Sequence, residues 1–155
     1  MQEIQIRAAQ KEDIAAVASL LVQVCNTHAE IRSDYFIAGK RKYSDSELSA
    51  ILQNPNTPVF VAEDAGEVVG YVFCVLQRAG QNTKGDTLYI DDLCVDEKCR
   101  GKGIGTRLFE YACAYAKANG CFNVTLHVWQ GNQSSEAFYD RFGMQTQKTC
   151  LEKIL

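Results

Sequence analysis

A chain of 155 residues with 46% apolar and 23% charged side chains is long enough for one domain, 1–155, with a real hydrophobic core. Two prolines and no low-complexity stretch argue against a disordered tail or a long linker. A formal charge of −3 lacks the basic excess of a general nucleic-acid binder and leaves small cationic partners open.

The opening MQEIQIRAAQ has no basic region ahead of an apolar one, so it does not read as a secretory signal. The longest apolar run, near 68–76, is too short to cross a bilayer, and no membrane partner is expected. EIQIRAA (3–9) alternates like a half-buried strand. Residues 11–30 place Ile14, Val17, Leu20, Leu21 and Val24 at helical spacing behind acidic first-turn residues. Residues 31–43 are irregular and mixed in charge. Ser44 followed by Glu47 is a capping box, so a short helix is expected over 44–54. PVFVAED (58–64) and EVVGYVFCVLQ (67–77) read as a hairpin, and TLYIDDLCVDE (87–97) as a third strand of that region. A helix over 103–118, a strand over 122–129 and a helix over 132–142 capped by Asn132 and ended by Gly143 follow. MQTQKTCLEKIL reads as a final strand or hairpin. The order predicts an α/β fold with a mixed, twisted sheet of six or seven strands and about four flanking helices.

Seven cysteines form no CxxC pair and no Cys/His cluster of zinc type. They read as reduced thiols of a cytoplasmic protein, most of them in the core, and no metal is expected.

CRGKGIG (99–105) places three glycines and Arg100 directly ahead of a helix. GQNTKGDT (80–87) is no P-loop, because Asp86 stands where lysine belongs and a strand follows. Gly101 and Gly103 begin a dinucleotide fingerprint, but Thr106 takes the place of its third glycine. The remaining reading is RxxGxG: Arg100, Gly103 and Gly105 between a strand and a helix. First-turn amides have no intrahelical partner and the helix dipole is positive there, so a diphosphate fits them. Arg100 and Lys102 add charge. A turn that merely joins strand to helix is the alternative.

A second pattern lies in NQSSEAFYDRFGM (132–144), where Asn132, Ser135 and Tyr139 fall along one helix face. Taken together, LCV, RGKGIG, LHVWQGN and FYDRFGM resemble the GCN5-related N-acetyltransferase family, most specifically over 87–144 and in element order over the whole chain. The resemblance implies an acyl-CoA N-acyltransferase fold with acetyl-CoA as co-substrate. The pyrophosphate would then lie on the amides from Arg100 through Gly101, Lys102, Gly103, Ile104 and Gly105 to Thr106. The pantetheine arm would run beside Leu93, Cys94 and Val95, wedged where strands 87–95 and 122–129 splay apart. It implies that Asn132 bonds the arm or nearby backbone and that Tyr139 is the general acid for the departing thiolate. Met144 replaces the family's usual aromatic after Gly143, and Ser135 a common alanine.

Direct transfer to an amine needs a proton acceptor, since freeing an alkyl amine at neutral pH costs roughly 4–5 kcal/mol. It also needs a donor to the thioester carbonyl, for which the Val95 amide is the candidate. Asp91 and Asp92 are the acids at hand. Strand alternation puts Asp91 on the face of Tyr89, Leu93 and Val95, and Asp92 on the opposite face. YIDDLCV is similar to the Tyr-Leu-Glu-Asp-Phe-Phe-Val strand of spermidine/spermine acetyltransferases, which implies that Asp91 is the base, acting through water. Surface pairing with Arg or Lys is the alternative for both acids. His28 and Glu30, after the first helix, are acceptor-site candidates, with a solvated loop as the alternative. His127 reads as a packed or edge histidine. The expected activity is acetyl transfer to a primary amine, a small cationic amine or polyamine first. The rivals are a peptide N-terminus or lysine as acceptor, and an acyl-CoA-sensing module without turnover. A homodimer is expected by analogy only.

Overall fold

The computed structural model describes residues 3–155. The strands are β1 (Gln5–Ala8), β2 (Val59–Asp64), β3 (Glu67–Gln77), β4 (Thr87–Val95) and β5 (Asn123–Leu126), and they stand in that order across one sheet. The first three joins are antiparallel and β4 pairs with β5 in parallel. The helices are α1 (Ile14–Ile31), α2 (Asp45–Gln53), α3 (Ile104–Ala118) and α4 (Gln133–Asp140).

The α/β class, the mixed sheet and the four helices agree with expectation. The strand count does not: among the described residues the sheet has five strands, not six or seven. The missing strand is the C-terminal one. Residues 145–155 are exposed and unpaired, because a strand forms only where its backbone groups find a partner. The strand expected over 122–129 is also short, since its pairing with β4 stops at Leu126.

β3 explains its unbroken apolar run by being covered on both faces. Val69, Val72 and Cys74 meet Leu88, Ile90, Leu108, Phe109 and Ala112 on the α3 side. Tyr71 and Phe73 meet Val17, Leu20, Leu21 and Leu48 on the side of α1 and α2. The buried stripe of α3, Ile104, Leu108, Phe109, Ala112 and Ala116, follows the helical period. Local chemistry places the joints. Ser44 and Glu47 exchange both bonds of the expected capping box at the start of α2. Ala65 and Gly66 take positive φ, 51° and 84°, in the β2–β3 hairpin turn.

α1 is long and apolar enough to cross a membrane by length and composition alone. Its Val17, Leu20 and Leu21 are packed into the core. All seven cysteines are unpaired, as expected, but only Cys74 and Cys94 are buried; four are half-buried and Cys150 is exposed.

α1 starts at Ile14 after a 3-10 turn at Lys11–Asp13. Asp13 is 7% exposed and takes two bonds from Arg7, 2.8 and 3.0 Å, and one from the Gln10 amide, 2.7 Å. Arg7 also bonds Glu63 on β2, so one cation ties two strands to the helix entry. The Arg7 bonds hold the Asp13 carboxyl below its usual range despite burial. Asp13→Asn is expected to cost about 1.5–3 kcal/mol at neutral pH. The charged form is the stabilised one, so that difference is full above about pH 4 and disappears as pH falls through the depressed value. Urea denaturation of both proteins across that range measures it.

Candidate active site

The β4–β5 ladder runs from Thr87↔Asn123 to Ile90↔Leu126 and stops, while β4 continues to Val95. From Asp91 onward β4 has a neighbour on one side only. The Asp96 amide donates to Val69 O on β3, 2.8 Å, which makes 69/96 a bonded pair. Antiparallel alternation then leaves Val95, opposite Gly70, and Leu93, opposite Val72, with their N–H and C=O turned away from β3. Those groups face the gap where β5 has diverged, as the splayed-strand expectation requires. Cys94, grouped with them from sequence, turns its backbone to Tyr71 of β3 and its buried thiol towards Leu20 O, 3.8 Å.

Beyond Val95 the chain turns into α3 through the glycine loop. Gly103 caps the helix at φ 77°, and Gly101 sits at φ 81°. Only glycine takes such angles cheaply. A Cβ on either would meet nothing within 4 Å, so both face open space. Among the described residues the amides from Gly101 to Thr106 donate no hydrogen bond, and the first helical bond is Arg107 N to Gly103 O. These groups fit an anionic diphosphate. Gly105 differs: a Cβ there would stand 3.4 Å from the Phe138 ring of α4, so it faces that ring and not open space. Its amide remains available, as does that of Ile104, whose side chain is in the core. The Arg100 guanidinium folds back on Val95 O, 3.2 Å, while Lys102 stands exposed.

On α4, Asn132 caps the helix by accepting from the Ser135 amide, 3.3 Å, and from Ser134 Oγ, 3.2 Å. Tyr139 packs against Phe138 and Phe109, ring centroids 4.9 and 5.6 Å away. Burial raises its hydroxyl above the ordinary tyrosine value, and the charge of Asp92 raises it further, so it stays protonated.

The acids lie where β4 bulges. Phe73 pairs with Asp92 and Cys74 with Ile90, so Asp91 is the extra residue. The bulge overturns the expected alternation. Asp91 accepts from Tyr43 OH and Asp92 from Tyr71 OH, 2.7 Å, and both tyrosines belong to the α1/α2 side. The two carboxylates therefore share one face, with Tyr89 but without Leu93 and Val95, which pack on the α3 side. Lys42 also seats its ammonium on Asp91, 2.8 Å. Burial pushes Asp92 up to about 6, against the opposing pulls of the Tyr71 bond and the Lys42 charge.

His28 faces this region. Its ring lies 5.0 Å from that of Phe36, and burial followed by the Lys42 charge lowers its value. Phe36 and Tyr35 in turn contact Trp129, and Arg32 lies over both Tyr35 and Trp129. Glu30 is exposed and about 200° around α1 from His28, so the structure does not bring it in. His127 bridges to Tyr89 OH, 3.2 Å, across the last of the β4–β5 pairing. Lys42, Tyr43, Tyr71 and the aromatic group were not singled out from sequence. Lys42, Tyr43 and Tyr71 reach the acids across 21 to 49 residues, and no local spacing marks such contacts.

A mixed sheet with one parallel pair that parts beside an uncapped helix start is the architecture of an acyl-CoA-dependent acetyltransferase. The Acetyltransferase (GNAT) family pattern matches residues 25–144, and the chain belongs to this family. It is 31% identical over 143 residues to the uncharacterized N-acetyltransferase YhfO of Bacillus subtilis, covering 92% of this chain and 90% of that one. It is also 31% identical over 112 residues to the uncharacterized N-acetyltransferase MJ1207 of Methanocaldococcus jannaschii, covering 72% of this chain but only 50% of that protein. Among solved structures, a mutant of the BH1408 protein of Bacillus halodurans superposes with a TM-score of 0.91 at 34% identity, over 97% of this chain and 99% of that one. Further relatives are named for glucosamine 6-phosphate, thialysine and N-alpha acetylation. The chain is an N-acetyltransferase, and its family uses acetyl-CoA.

The Tyr71 bond favours the ionised form of Asp92. Tyr71→Phe is therefore expected to move the Asp92 titration above about 6. Carboxyl NMR of the two proteins reads the shift.

Proposed function

We propose that this chain transfers the acetyl group of acetyl-CoA directly to a primary amine, with small cationic amines, polyamines included, as its acceptors. The observation that carries this reading is the β4 edge at Leu93 and Val95, which no strand pairs, set in the chain between the paired acids and the unbonded amides of Gly101–Thr106.

Bound acetyl-CoA supplies an activated acyl carbonyl and a thiolate leaving group. The amides of Gly101 to Thr106 hold its diphosphate at the positive end of α3, with Lys102 adding charge. Leu93 and Val95 pair with the pantetheine arm as a strand would, and the Asn132 carboxamide steadies it. The Val95 N–H faces the gap and donates to the thioester oxygen.

The acids divide the work on the amine. Asp91 already holds one ammonium, that of Lys42, and receives the acceptor's in exchange. Asp92, raised to about 6, is better matched than an ordinary aspartate to take the proton, directly or through water. This shifts the base from Asp91, favoured on strand similarity, to its neighbour. Tyr139, kept protonated by burial, delivers a proton to the departing sulfur. His28, Phe36 and Trp129 wall the acceptor mouth.

Support for the acceptor class comes from the two clustered carboxylates and from relatives named for acetylating glucosamine 6-phosphate and thialysine. Thiol release from acetyl-CoA with a panel of amines tests it. Diamines and polyamines are expected to turn over faster than neutral amines or peptides. Fastest release with peptide N-termini or lysyl peptides overturns the small-amine reading. Acetyl-CoA binding with no release for any amine overturns the enzymatic one.

Tyr139→Phe is expected to lower kcat by about 10²–10⁴-fold. Coenzyme A affinity, measured by calorimetry, should stay within a few-fold. An unchanged kcat removes Tyr139 from the role of acid.

A further inference from the structure

Lys42 is the cation of the acid pair. Its ammonium stands 2.8 Å from Asp91 Oδ1, and its charge also bears on Asp92 and on His28. The neighbouring cations turn elsewhere: Arg41 pairs with Asp45, 2.8 Å, and Lys40 stands exposed. The Asp91 side chain is 14% exposed and that of Lys42 51%, so the ammonium covers the carboxylate and stays open on its outer side.

The backbone holds Lys42 at this place from both sides. Tyr43, next in the chain, bonds Asp91 through its hydroxyl and stacks its ring on Phe73, centroids 5.7 Å apart. Ser44 then caps α2. On the other side, the Gly39 amide donates to Asn26 Oδ1 of α1, 2.7 Å. The Lys42 nitrogen also lies 5.4 Å from the centroid of the Tyr43 ring, a cation–π distance. A lysine tied down in this way is unlike one that waves from a surface loop.

We propose that Lys42 is itself an acetyl acceptor: with acetyl-CoA bound, the chain modifies its own Lys42 Nζ within one molecule. The inference rests on the proposed reading of the acids as the acceptor mouth. Lys42 is a primary alkyl ammonium, the acceptor class of that reading, and it is already seated on Asp91. Leu93 stands two residues beyond Asp91, about 7 Å of strand, so a swing of the lysine stem brings the nitrogen to a thioester held beside Leu93 and Val95. Asp92 takes one ammonium proton and frees the amine. The Nζ–C bond forms, the C–S bond breaks, and the sulfur takes the Tyr139 proton. The acylated nitrogen sheds a second proton, which restores Tyr139. The products are Nζ-acetyllysine and the free thiol of coenzyme A. The tether takes the place of an encounter between two molecules. The acetamide carries no charge, so its ion pair with Asp91 ends and the modification stops at one group per chain.

Incubation of the unacetylated full chain with acetyl-CoA and no amine tests this, read by intact mass, peptide mapping and thiol release. Lys42 is expected to gain one acetyl group, with a single equivalent of thiol released per chain. Its rate constant should not change when the protein is diluted, and exposed Lys40 should lag far behind. Lys42→Arg keeps a cation for Asp91 but offers no nucleophilic amine, so it should release no such equivalent. An unmodified Lys42 overturns the proposal. So does a Lys42 acetylated no faster than Lys40, a rate that falls on dilution, or an undiminished equivalent of thiol from Lys42→Arg. Diamine turnover on the same sample separates the two readings. Turnover with a bare Lys42 sinks this inference and leaves the acceptor class standing. Acetylated Lys42 without diamine turnover supports this inference and sinks the small-amine reading.

Discussion

The arrangement depends on one ladder ending early. β4 and β5 pair in parallel for four residues and separate after Ile90↔Leu126. In a closed sheet, an unpaired stretch such as Leu93–Val95 would be a defect with unsatisfied polar groups. At an opened seam it is an edge of the kind an extended ligand pairs with. The antiparallel side must hold for this to work, and β3 does hold it, buried on both faces by α3 and by α1 with α2. The core is rigid on one flank of β4 so that the other flank can stay free.

A second irregularity, the bulge at Asp91, acts on the same strand. It places two carboxylates side by side on one face, where regular alternation would have put them on opposite ones. Their environments then separate them. Asp91 is bridged to Lys42 and Tyr43 near the surface, while Asp92 lies under Tyr71 with its value raised by burial. Neighbouring acids with unlike surroundings can bind a cation and accept a proton as separate tasks.

Features set by local chemistry were legible in the residues. The Ser44–Glu47 box, the Ala65–Gly66 turn, the helix stripes and the positive φ of Gly101 and Gly103 all follow from contacts or torsions within a few positions. What depended on distant partners was not. Gly105 shares a motif with Gly103, yet it faces the Phe138 ring, more than thirty residues away, and not open space. Alternation places Asp91 with Leu93 and Val95 and apart from Asp92; the structure does neither, because a bulge is a property of two strands. Lys42 and Tyr43, in a stretch that looked irregular, are located only by the fold. Residues 145–155 have the composition of a strand, but composition does not supply the pairing partner a strand needs.

The cation already seated on Asp91 bears on how the mouth selects. On the proposed reading, an incoming ammonium would not meet a bare negative well; it would trade places with Lys42, one positive charge for another. At a half-open rim such a swap yields little net attraction, and dissolved salt weakens it further. Among cationic amines, discrimination on that reading would fall to fit: the reach from Tyr43 to the buried carboxyl, and the flat walls of Phe36 and Trp129. On the proposed reading, charge sets the class of visitor and outline sorts within it.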